Sequence, residues 1–105
     1  MNERVFNVLM QIKHLYPAFH EQTVKCKYEM SLDNIVAEQK AAAPIRIMIA
    51  VLQTLGYCTK QPCMSDLAAY SPQKGWQELL DWCRFDNEII NHPYWTELYY
   101  GKLAL

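Results

Sequence analysis

Glycine is scarce, with three residues in a chain of 105. Gly56, Gly75 and Gly101 lie far apart, so no glycine-rich loop can cradle a phosphate. The G-x-G-x-x-G, G-x-x-x-x-G-K, G-x-S-x-G and H-E-x-x-H spacings are all missing. Serine, cysteine, histidine and acids are present, but no motif gathers a nucleophile, a base and an orienting group. The sequence therefore has no recognisable enzyme active site, and the expectation is a protein that is not an enzyme and carries no cofactor.

A surplus of one charge is also missing. Ten basic and eleven acidic side chains give a net charge of −1. That balance disfavours nucleic acid as a partner, because most of such affinity comes from neutralising phosphates. Long apolar runs are absent too. The longest, Ile47 to Leu52, is far short of the roughly 20 residues that span a bilayer. Glu3, Arg4, Asn7, Gln11, Lys13 and His14 interrupt the first sixteen residues, which do not form a secretory signal core. The expected location is cytoplasmic and away from membranes, where Cys26, Cys58, Cys63 and Cys83 stay reduced.

What is present is apolar residue at helical spacing. Hydrophobic residues make up 51% of the chain, enough to build one globular core and too few residues for two domains. Residues 1–105 are read as a single helical domain. Val5, Val8, Leu9, Ile12, Leu15 and Tyr16 form one stripe, with Asn2 as N-cap and Pro17 as the end. Residues 23–30 change period: Val24, Cys26, Tyr28 and Met30 alternate with polar neighbours, the signature of a half-buried strand. Its pairing partner is open: the segment 57–60, the tail 102–105, or a second copy in a homodimer.

Ser31 reads as the cap of a helix ending near Ala42. Pro44 restarts the chain into a helix, 44–55, that is apolar nearly all round and so is expected at the centre. Gly56 closes it. A loop follows, then a short helix capped by Ser65, a helix opened by Ser71–Pro72, and a last one opened by Pro93 and closed by Gly101. The fold class is mainly α: a compact bundle of five or six helices around 44–55, with one short β element near 23–30.

Cys58 and Cys63 are separated by four residues, a spacing zinc ligands can use. No second ligand pair accompanies them, so neither a metal nor a disulfide between the two is expected, and buried thiols are the simpler reading. The succession of helices from Pro44 to Cys83 matches a helix-turn-helix only in outline. The would-be recognition helix offers Gln73, Lys74, Gln77, Glu78 and Asp81, a poor face for DNA. A transcriptional regulator would have to rely on Lys74, Arg84, Lys25, Lys27 and Lys40.

The remaining feature is the C-terminal third. Seven of the thirteen aromatic residues fall between Trp76 and Tyr100, and from residue 66 onward six acids face three bases. Trp and Tyr are favoured interface anchors. The leading expectation is an adaptor, inhibitor or regulatory subunit that binds another protein through Trp82, Tyr94, Trp95, Tyr99 and Tyr100.

Overall fold

The computed structural model describes residues 3–104. Its first helix, α1 (Glu3–Tyr28), is also the longest. Asn2, the expected cap, lies outside the described residues. Val5, Leu9, Ile12, Tyr16, Phe19, Thr23 and Cys26 are all buried. They recur at alternating four- and three-residue steps, which keeps one face turned to the core for the whole length.

The helix does not stop at Pro17. Proline removes one backbone N–H and orphans the carbonyl four residues earlier. Pro17 lines a groove open to solvent with Ala18 and Glu21, and the buried stripe continues past it through Phe19, Thr23 and Cys26. The segment 23–30, expected as a strand, is helical to Tyr28, and the described residues contain no strand. Thr23 hid the continuing helical stripe. Its hydroxyl is satisfied internally by donating to the Glu38 carboxylate, which lets a polar residue occupy a core position. Homodimer formation by pairing a strand at 23–30 loses its basis.

After a tight reversal comes α2 (Leu32–Thr54), capped by Ser31, whose Oγ accepts from the Asn34 N–H at 3.1 Å. The expected break before Pro44 does not occur, and 32–54 is one helix. Pro44 is exposed, on the side where the carbonyl it orphans meets water. A 3-10 helix (Met64–Ala69), α3 (Pro72–Cys83), α4 (Asn87–Ile90) and α5 (Pro93–Tyr100) complete the fold. Among the described residues this is a mainly α bundle of six helices.

The hub is α1, not 44–55. It packs on α2, the 3-10 helix, α3 and α5, whereas the substantial contacts of α2 are with α1 alone. The molecule measures 43 × 27 × 18 Å, too thin to surround a second long helix. The segment 57–60 pairs with the chain after α3: Cys58 bridges Phe85, and Cys83 accepts from the Thr59 and Lys60 N–H groups at 3.1 and 3.0 Å. Arg84 makes that turn with φ of 56°, a left-handed conformation that a non-glycine residue adopts at a cost.

The short α5 is held by side chains that satisfy its terminal carbonyls. Trp76 Nε1 donates to Leu98 O at 2.8 Å, and Gln77 Nε2 to Tyr99 O at 3.1 Å. Gln73 Nε2 and Lys13 Nζ both donate to Gly101 O, at 3.1 and 2.9 Å. Burial lowers the Lys13 ammonium below the ordinary lysine range, and the Glu97 charge works against that shift.

Candidate functional site

The five aromatic residues singled out in the sequence divide between core and surface. Trp95 belongs to the buried cluster, with Phe85 and Tyr99 rings 5.7 Å away. Tyr99 is half-buried and its hydroxyl donates to Asp81 at 3.0 Å. Trp82 is half-buried against Tyr70. Only Tyr94 and Tyr100 are widely exposed. They sit six residues apart on α5 and so point to different sides of it. The aromatic third is therefore mostly the seam between α3 and α5, with two separate rings left over.

The cysteines are rearranged relative to expectation. Cys58 is buried and Cys63 exposed. Cys58 lies beside Cys83 through the pairing of 58–60 with 83–85. Burial, and secondarily the neighbouring Cys58, pushes the Cys83 thiol up to about 12. Burial also raises Cys58. Thiols held protonated in this way are poor nucleophiles and poor ligands. Among the described residues no group of three or more His, Cys, Asp or Glu could hold a metal ion.

The polar flank of α3 is used internally. Gln73, Gln77 and Asp81 are hydrogen-bonded to α5 and the tail after it, and Lys74 is ion-paired with Glu78 at 3.2 Å. A recognition helix needs such side chains free for base edges and phosphates.

The surface that stands out is on α2. Its inner side buries Ala42, Ile45, Ile49 and Leu52 against α1. Its outer side carries Val36, Lys40, Ala43, Ile47, Ala50 and Thr54 at alternating four- and three-residue steps, with Leu32, Val51 and Leu55 alongside. Ile47 is 63% exposed, Leu55 64% and Leu32 76%. At the hairpin tip Tyr28 and Met30 are equally open. The four–three rhythm is that of a seam through which helices pair, and among the described residues nothing covers it.

At its C-terminal end the seam opens into a groove of about 560 Å³. Val5, Val8, Val51, Leu52, Leu55 and Tyr57 line it, and Arg4 stands at its rim. Beyond Asp33 in the first turn, the exposed charges along this side, Lys40 and Arg46, are positive. No acid occurs between Gln39 and Ser65. The ion pairs of the described residues, Glu21–Lys25 and Lys74–Glu78, leave Arg4, Lys40 and Arg46 without an acidic partner.

Sequence reasoning placed Ile47, Val51 and Leu55 in the core. The signal that locates them was the all-round apolar character of 44–55 set against the length of the chain. A domain of 12.3 kDa lacks the mass to enclose a helix on every side, so one apolar face of such a helix must be left for something else.

Comparison with protein-family models, with curated proteins and with solved structures returns no match to this chain. Among the described residues no helix is long and apolar enough to cross a membrane.

Proposed function

We propose that this chain is a protein-interaction module, an adaptor, inhibitor or regulatory subunit without chemistry of its own, which docks a partner protein along the outer face of α2. The observation that carries this reading is the row of large apolar side chains from Leu32 to Leu55 that stand in solvent opposite the core side of the same helix. They fall in two groups, Leu32 and Val36 at one end and Ile47, Val51 and Leu55 at the other, and burying each such side chain is worth roughly 1.5–3 kcal/mol; exposed apolar patches of this kind mark binding sites. The cytoplasm suits the module, since all four cysteines are free and no step of docking needs a disulfide.

Photo-crosslinking tests the proposal. A crosslinking side chain at position 47 or 51, introduced in the cells of origin, should give one discrete adduct. The Ile47→Gln, Val51→Gln variant should lose that partner while its unfolding free energy stays within about 1 kcal/mol of the parent, as for surface positions. Adducts from positions 94 or 100, and none from 47 or 51, would move the binding surface to α5 and defeat the assignment to α2.

A further inference from the structure

We infer that the occupant of this face is an amphipathic α-helix whose apolar stripe is flanked by acidic side chains. The inference rests on the docking surface just proposed and adds the chemistry of what docks there. The occupant must satisfy its own backbone. The described residues present no strand edge to which an extended peptide could add, and an uncovered backbone laid on an apolar seam leaves its N–H and C=O groups without partners. A helix carries no such deficit. The alternating rhythm of Val36, Ala43, Ile47 and Ala50 accepts knobs from a second helix, with the alanines permitting close approach.

Charge decides which helix. Lys40 interrupts the seam itself, Arg46 flanks it with a hydrogen bond to Gln39, and Arg4 lines the terminal groove; among the described residues none of the three is paired with an acid. In an antiparallel two-fold pairing of α2 with its own copy about the middle of the seam, Lys40 of one copy would lie opposite Arg46 of the other, like charge against like. A polar residue inside a seam selects partners in this way, at some cost in affinity. Glutamate or aspartate on the incoming helix removes the conflict and supplies charge-assisted hydrogen bonds. The stretch from Val36 to Leu55 is about 29 Å long at ~1.5 Å per residue, which an incoming helix of about 20 residues matches. One helix face of that length, ~10 Å wide, falls below the ~800 Å² per partner of a standard interface, so micromolar affinity is expected.

Two fluorescein-labelled helical peptides of about three heptads provide the probes. Both carry leucine at one seam position and alanine at the other. One has glutamate on its flanks and its twin has lysine. The glutamate peptide should bind at least ten-fold more tightly at low salt, and the preference should shrink as salt screens the exposed charges. Lys40→Glu, Arg46→Glu should reverse the preference. Ile47→Gln, Val51→Gln should weaken both peptides at least ten-fold with the thermal melt unchanged. Equal binding of the two peptides overturns the acidic-helix inference. If Ile47→Gln, Val51→Gln still abolishes that equal binding, α2 survives as a protein-docking face. Binding of neither peptide overturns the inference, as does capture by phosphatidylserine vesicles in place of peptide. A dimer in sedimentation that the glutamate peptide cannot dissociate does the same.

Discussion

At the scale of single residues, the tightest spot is Tyr16 against Gly75. Tyr16 is wholly buried among the rings of Phe19, His20 and Trp76, with centroids 5.6 to 5.9 Å away. Its hydroxyl is the one buried side-chain polar atom without a hydrogen-bond partner among the described residues. Burial raises that hydroxyl above the ordinary tyrosine range. A Cβ at Gly75 would stand 2.3 Å from the Tyr16 oxygen, so the glycine is there for close approach within α3 and not for backbone freedom. Leaving a buried hydroxyl unpaired costs ~1–3 kcal/mol. Tyr16→Phe should therefore hold or raise stability, by about 1 kcal/mol. Gly75→Ala gains up to ~1 kcal/mol in helix propensity, yet overpacking of ~1–3 kcal/mol should make it destabilising overall. In the Tyr16→Phe background the alanine penalty should shrink sharply. Urea unfolding of both single variants and the double variant measures the coupling, and strict additivity would show that the two groups do not clash.

At the scale of elements, the prolines separate expectation from structure. Pro17 and Pro44 were read as helix boundaries, and both lie inside continuous helices. Local propensity put their cost near ~3 kcal/mol each. Tertiary packing outweighs it, because the buried faces of α1 and α2 continue past each proline without a change of phase. Pro44→Ala should consequently stabilise the domain by about 1–3 kcal/mol, less than the full propensity difference because proline also restrains the unfolded chain. Hydrogen exchange at Lys40 to Met48 should slow in parallel. A loss of stability would mean that the proline shapes the packing of α2 on α1. Caps, by contrast, were legible except at Ser65, which lies inside a 3-10 helix that begins at Met64 and has no side-chain cap bond. Ser31, Ser71 and His92 each accept a hydrogen bond from the first turn of their helices, and Gly56 has φ of 87° where a helix end was expected. These features depend on a few adjacent residues. The period-two alternation at 23–30 does too, but there the longer stripe through Phe19, Thr23 and Cys26 decided the outcome.

At the scale of the molecule, alkaline pH gives a global readout of the α3–α5 seam. Tyr99 is pushed up to about 12 from 10.0, first by burial and then by its hydrogen bond to Asp81. Cys83 is pushed up to about 12 from 9.0. Both groups keep their protons in the folded state at pH values where the unfolded chain releases them. Between pH 9 and 12 the folded state thus binds more protons, and stability must fall as pH rises. Below pH 9 the contribution is fully present. Lys13, lowered by burial, acts in the opposite direction. Thermal melts should move down across that window, and Tyr99→Phe and Cys83→Ala should each flatten the slope. An unchanged slope in both variants would place the alkaline transition elsewhere.

The sequence by itself determined that the chain is helical, where three of its helices are capped or closed, and which catalytic and phosphate-binding motifs it lacks. All of these follow from residue types at short spacing. Only the tertiary structure decided which apolar residues are covered. Ile45 and Ile47 are alike in composition and nearly alike in position, yet one is fully buried and the other 63% exposed. The difference arises because α1, already packed on the 3-10 helix, α3 and α5, offers α2 a single face. The aromatic C-terminal third went the opposite way, from expected surface to the seam that fastens α5, because α3 brings Gln73, Trp76 and Gln77 to its carbonyls. Periodicity orients a side chain around its own helix axis, and only the placement of the neighbouring helices determines whether protein or solvent lies on that side.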